Sequence, residues 1–425
     1  MTRKVELKRE LGLLEITLSG VGIILGAGIY ALIGKAAGLA GNAVWLSFAL
    51  SALVAVFTGL SYAELSSMLP KASAEYEYTK SAFGMRLAFI IGWLIILSGI
   101  IGASTVALGF GGYFNSLFSV PPTASGFVLI VALSFLLFYG IKESAWFAIV
   151  ATLIETAGLV LIIFIGLPYL GKVDYFEMPY GLAGVFQASA LIFFAYTGFE
   201  SIVKLSEETK APEKTIPRGL LLAILISIIL YVLVAVAAVS VMGWEKLASS
   251  GAPFADLAFV ALGSNAFALL SVIALFATAN TVLMMMLGSS RIIYGMADSS
   301  TFPGILARVH PSRRTPWVAI FVAMVLSVLF IFAGDITFVA NITNFTLFVT
   351  FFVINAAVIL LRYKEPQMKR PFRVPVSIGK FTVLPFFGIL FCIFMLFQLE
   401  WMVLLIGAAL VILGWLLSFV DMKNV

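Results

Sequence analysis

The sequence predicts an all-α polytopic membrane protein of about twelve transmembrane helices, and three observations predict it. The first is composition. The chain has 425 residues, 62% of them hydrophobic and 11% charged, with a mean hydropathy of +1.12. Soluble domains run near half apolar and a quarter charged, so lipid must be the main solvent of this chain. The second is that its apolar residues come in continuous runs. Crossing about 30 Å of hydrocarbon takes about 20 such residues as a helix, whereas a closed barrel needs short alternating strands. The third is an unequal sharing of cations between alternate loops.

The runs place spans near 14–35, 42–66, 87–115, 124–141, 145–170, 184–205, 217–242, 265–297, 316–333, 337–361, 381–398 and 402–420. With the N-terminus inside, the inner segments collect Arg3, Lys4, Lys8, Arg9, Lys71, Lys80, Arg86 and Lys142. They go on to Lys204, Lys210, Lys214, Arg218, Arg291, Arg308, Arg313 and Arg314, then the basic run 362–380 and Lys423. Of 26 Lys and Arg, only Lys35, Lys172 and Lys246 fall outside. A wrong span count would shuffle the later loops and spoil that bias, so both termini are expected in the cytoplasm, with the chain in the cell membrane. The first apolar run, Ile16 to Ile33, is longer than a signal-peptide core of about 7–15 residues, so no cleaved leader is expected.

Composition also excludes chemistries. Cys392 is the only cysteine and His310 the only histidine, which leaves no disulfide framework, thiolate cluster or His-based metal site. No phosphate-cradling G-x-x-x-x-G-K-[ST] motif occurs, so an ATP-driven pump is excluded. No cofactor and no nucleic-acid partner is expected. An intramembrane enzyme or a channel is the alternative from another class, but no His, Cys or aspartate pair stands at mid-depth to do catalysis.

The first span carries glycines at 20, 22, 26 and 28. Glycine weakens a helix interior by about 0.5–1 kcal/mol relative to alanine, so this density invites an unwound turn. Such a turn at the midplane exposes main-chain groups that only a cavity or ligand can satisfy. The amides of Gly26, Ala27 and Gly28 would open a second half-helix, whose positive end suits a carboxylate. Carbonyls of Ile23 and Ile24 would suit an ammonium or a cation. Together these needs describe an α-amino acid. The competing reading of Gly22-x-x-x-Gly26 is a small-residue packing face. The sixth span weighs against packing alone: Phe193-Phe-Ala-Tyr-Thr-Gly-Phe-Glu-Ser201 holds Gly198 and Glu200 within an apolar run, and paired interruptions mark transporter sites. Phe194, beside that break, is a candidate gate.

These residues resemble the amino acid–polyamine–organocation transporters, in particular their amino acid permease and cationic amino acid transporter branches. The resemblance rests on Gly20-Val-Gly-Ile-Ile-Leu-Gly-Ala-Gly-Ile-Tyr30, on Tyr62-Ala-Glu-Leu-Ser-Ser-Met-Leu-Pro70 with Tyr76 and Tyr78, and on Phe193 to Glu200 with Glu207 to Arg218. It continues at Arg291-Ile-Ile-Tyr-Gly-Met-Ala, at His310 to Trp317 and at Lys369 to Pro375. It implies a single transporter domain built as a five-plus-five inverted repeat, 14–170 against 184–361, with two extra helices in 381–420. It further implies a substrate carboxylate on the Gly26–Gly28 amides, an ammonium on the carbonyls of Ile24, Phe194 and Ala195, and Phe194 as gating aromatic. Secondary active transport of amino acids follows as the expected function, with protons a candidate coupling ion and a polyamine or other organic-cation carrier as the alternative. Two departures stand out. Ala27 replaces a serine common in relatives, and the loop after Pro70 reads Lys-Ala-Ser-Ala-Glu-Tyr where relatives usually carry glycine and serine.

Two carboxylates remain. Glu155 lies about ten residues into the fifth span, near the midplane, and no Lys or Arg stands at mid-depth to pair with it. Three roles stay open for it: proton coupling, cation or amine binding, and structural hydrogen bonding. Glu200 has Lys204 four residues on, the spacing of a helical ion pair, which competes with a gating or proton role. Glu64, at the inner end of the second span, reads as solvated or paired with a loop.

Overall fold

The computed structural model describes residues 9, 11–71, 74–298, 302–332 and 335–421, without the side chains of 141–146, 207, 420 and 421. Arg3, Lys4, Lys8, Lys423 and the Ala72–Ser73 pair of the loop after Pro70 therefore lie outside the described residues.

Among the described residues the regular structure is helical, apart from a hairpin of two short strands, β1 (Ser377–Ile378) and β2 (Phe381–Thr382), and a single bridge between Leu11 and Thr209. In order, the helices are α1 (Leu13–Ile24), α2 (Gly28–Ala40), α3 (Val44–Met68), α4 (Ala74–Phe83), α5 (Met85–Phe118), α6 (Pro122–Tyr139), α7 (Ile141–Gly166) and α8 (Gly181–Ile192). They continue as α9 (Pro212–Met242), α10 (Trp244–Ser249), α11 (Pro253–Leu262), α12 (Ser264–Asp298), α13 (Trp317–Ile331), α14 (Ile336–Lys364), α15 (Val383–Leu396) and α16 (Trp401–Asp421). Every expected apolar run is occupied by helix. Nine helical stretches are long and apolar enough to cross a membrane among the described residues. Three short helices, α4, α10 and α11, fall between the expected spans.

The ends follow local chemistry. Pro122, Pro212 and Pro253 open α6, α9 and α11, where a missing N–H costs nothing. Asp335 caps α14 by accepting from the amides of Thr337 (2.8 Å) and Phe338 (3.2 Å). Large side chains such as Leu153, Phe164, Leu405 and Ile412 stay more than half exposed, 69%, 63%, 56% and 55%. That belt of bare hydrocarbon requires lipid around it. The inner layer is the opposite: Tyr30, Tyr62, Tyr113, Tyr196 and Tyr231 are all but fully buried. α5 packs on α12, and α9 on both α1 and α3, so the long helices enclose the two places where the chain breaks.

Candidate functional site

The first break is where the glycines place it. α1 ends at Ile24, residues 25–27 turn, and α2 starts at Gly28. Both readings of the glycines hold, at different positions. A Cβ on Gly20 would stand 2.6 Å from Ile202 Cδ1 and 2.8 Å from Ala223 Cβ, and one on Gly22 would stand 2.6 Å from Thr152 Cγ2, so these two pack α1 against its neighbours. On Gly26 it would meet Thr281 Oγ1 at 2.7 Å. On Gly28 it would meet Ala195 Cα at 2.6 Å, a contact with backbone that has no room to shift.

Ala195 belongs to the second break. α8 stops at Ile192, residues Phe193–Tyr196 tighten into a 3₁₀ turn, Thr197 is extended, and Gly198 turns at φ +111°. A Cβ on Gly198 would lie 2.9 Å from Ile23 O. The two breaks thus abut twice, Gly28 on Ala195 and Gly198 on Ile23. One side chain spans both: the Tyr231 hydroxyl of α9 lies 2.6 Å from Ile24 O and 2.9 Å from Ala195 O. It has one proton, so it donates to one carbonyl at a time, and each carbonyl keeps a lone pair for another donor. Phe194 O accepts from the Thr197 hydroxyl (2.8 Å). The Phe194 ring is buried against α5, with Cε2 3.5 Å from where a Cβ on Gly102 would stand.

The expectation of three free amides needs correction at Ala27. Its N–H donates to Thr281 Oγ1 at 2.8 Å. A threonine from α12, more than 250 residues away in sequence, supplies an acceptor inside the turn.

Glu155 is fully buried on α7, and neither carboxyl oxygen has a hydrogen-bond partner among the described residues. Its surroundings tie it to the first break. Tyr30 of α2 donates to the Glu155 main-chain oxygen (2.8 Å), and Thr152, one turn earlier, packs on Gly22 and accepts from Asn280 Nδ2 (3.1 Å). Glu200 behaves otherwise. Residues Phe199–Glu208 form a 3₁₀ helix, in which i and i+3 are neighbours, and the expected i,i+4 geometry with Lys204 is absent. Glu200 Oε2 instead accepts from the Gly198 amide (2.8 Å), while Lys204 Nζ lies 3.8 Å from Glu75.

Glu64 is not solvated. It is buried, held by Arg362 Nε (2.9 Å) and Nη2 (2.5 Å), by the Val374 amide (2.8 Å) and by Arg370 Nε at 3.3 Å. The fold brings the last turn of α14 and the following loop onto the end of α3, a pairing that local sequence cannot show. Tyr30, Tyr231, Asn280 and Thr281 were also missed. For the last two a signal existed: the polar group Thr278, Asn280 and Thr281 interrupts the apolar centre of a long span.

Paired helix breaks packed back to back within a lipid-facing helical bundle define a membrane carrier rather than an enzyme. Comparison with known proteins narrows the class: residues 11–409 match the amino acid permease family, and the chain belongs to it. It is 33% identical over 436 residues to the branched-chain amino acid permease of Bacillus subtilis, covering 97% of this chain and 93% of that one. It is 32% identical over 425 residues to the methylthioribose transporter of the same organism, covering 94% of this chain and 90% of that one. With the vacuolar cationic amino acid transporter 4 of Arabidopsis thaliana it shares 30% over 390 residues, 85% of this chain and 64% of the plant protein.

Proposed function

We propose that the protein is a secondary amino acid transporter of the cell membrane, working by alternating access, with its substrate held between the two breaks. The observation that carries this reading is the apposition of Gly28 on Ala195 and Gly198 on Ile23, which brings the interrupted main chains of the two breaks into direct contact. The amides of Gly26 and Gly28 take the carboxylate, with Ala27 joining when Thr281 releases its N–H. The carbonyls of Ile23, Ile24, Phe194 and Ala195 take the ammonium, and Phe194 closes over it. Family membership and the near-complete overlap with a branched-chain amino acid permease support an amino acid as the cargo.

In this reading α1 with α2 and α8 with its 3₁₀ continuation are the first and sixth of twelve spans. The repeats are 14–170 and 184–361, with α15 and α16 in 381–420 added to them, and both termini are cytoplasmic. Glu155 is the coupling group, a carboxyl buried at mid-depth on α7, the helix whose Thr152 packs on the first break. Glu200, bonded to the turn at Gly198, transmits gating.

The test is purified protein in liposomes, screened with labelled amino acids, with and without pH or sodium gradients. Accumulation of at least one amino acid, accelerated by an inward proton gradient, is expected. Uptake of none would overturn the reading, and methylthioribose belongs in the screen because a relative of similar coverage carries that name. For topology, a cysteine at Arg313 is expected to react only with reagent on the cytoplasmic side; reaction from outside would overturn the span count.

A further inference from the structure

A second place on the molecule has the chemistry for an amino acid. Where α2 rises away from the break, a cavity of about 310 Å³ opens between α2, α5, the 248–253 segment and the start of α14. That is the lower end of the range for small-molecule sites. Its floor is closed by Tyr30 and Tyr113, whose hydroxyl donates to Tyr30 O (3.1 Å) and accepts from the Phe254 amide (3.4 Å). Lys35 and Asp335, both exposed, border it from different elements.

These two charges do not pair with each other or with any other group among the described residues. Asp335 caps α14 through Oδ1, and its Oδ2 has no partner among the described residues. The two opposite charges border the same cavity without meeting. Leu108, Ile336 and Pro253 give the same space an apolar side.

We propose that this cavity is an outer binding site for a zwitterionic amino acid. Lys35 takes the carboxylate, Asp335 Oδ2 the ammonium, and the apolar wall the side chain. Lys35 is seven residues beyond Gly28, so the site lies about 10 Å from the central break, with the Tyr30–Tyr113 hydrogen bond between them. Substrate would be gathered here before those tyrosines part. The inference rests on the amino acid reading above and on α2 ending at the outer face.

The experiment uses Ser249→Cys as a reporter in the cavity wall, since the native Cys392 is buried. Its labelling by a charged methanethiosulfonate is timed with and without L-leucine. To remove the central site the reporter is combined with Gly28→Val. At ten times its dissociation constant leucine should slow labelling about tenfold by simple occupancy. Leucinamide and 4-methylpentanoate, each lacking one charge, should not, and Lys35→Gln or Asp335→Asn should abolish protection. Full-speed labelling in leucine, while wild-type liposomes take leucine up, would overturn the outer site and spare the central one. Absence of both uptake and protection would overturn the two together. Faster labelling in Lys35→Gln with no leucine effect in its parent would make the pair a gate only and overturn binding. Should Gly28→Val misfold, leucine stoichiometry in the otherwise native protein decides: two per chain, falling to one in Lys35→Gln, is expected, and one per chain in both refutes the site.

Discussion

The two breaks are built by different means. The first is made by crowding: four glycines let Ile202, Thr152, Thr281 and Ala195 come where side chains would otherwise be, and the helix on either side remains α. The second is made by conformation: one residue, Gly198, sits at φ +111°, and the helix does not recover its α form before Glu208. The first break is therefore fixed by neighbours from four other elements, whereas the second is fixed by its own backbone and by the Glu200 carboxylate bonded to it. A carrier that changes shape needs one member of such a pair to hold while the other moves. The crowded break is suited to hold the ligand, and the 3₁₀ segment to move.

Gly28→Val is the strongest way to break this comparison. Its branched side chain would have to displace the Ala195 backbone, which no rotamer avoids. Loss of all detectable substrate binding is expected, with the protein still monodisperse in detergent. Gly26→Val should weaken binding too, but less, because its neighbour is a threonine side chain. Normal binding in Gly28→Val would return the glycines to packing alone. Glu155→Gln comes next in size. Glutamine keeps the shape and neutrality of a protonated carboxyl but has no proton to release. Substrate binding should persist while acceleration of uptake by an external pH step disappears. Weakened binding would favour an amine or cation at Glu155, and an undiminished pH response would pass the coupling role to Glu200.

Gly198→Ala probes the other member of the pair. The positive φ and the Ile23 carbonyl at 2.9 Å both oppose a methyl group, at a cost of about 1–3 kcal/mol. In the proposed division of labour the strain falls on the moving segment, so the transport rate should fall several-fold while equilibrium binding changes little. An equal loss of both would remove the division of labour between the breaks.

The breaks were legible because glycine acts through local sterics, and hydropathy marks spans without any knowledge of packing. What was not legible came from long range. Tyr231, Thr281 and the Arg362 partner of Glu64 each reach their contact across more than 200 residues of sequence. The competing ion-pair reading of Glu200 with Lys204 fails for a related reason. The spacing rule assumes an α-helix, and the tertiary fold imposed a 3₁₀ one. Glu155 was legible as a carboxyl without a cation partner because no Lys or Arg falls at mid-depth in the expected spans.

The smallest expected effect is at the side chain that joins the two breaks. Tyr231→Phe keeps the ring that packs on Phe48 and Tyr196 and deletes only the hydroxyl shared by Ile24 O and Ala195 O. A lost hydrogen bond that leaves buried acceptors less satisfied costs about 1–3 kcal/mol, which on the scale of a mid-sized domain lowers the melting temperature by roughly 2–4 °C per kcal/mol. The empty protein bears that cost in full. In the loaded protein, a substrate ammonium bonded to the same carbonyls would make part of it good. The variant should therefore melt lower than wild type without substrate, yet show a larger upward shift when saturating substrate is added. Equal shifts would mean that the ammonium does not use these carbonyls, and the amine end of the proposed site would have to lie nearer Ile23 and Phe194.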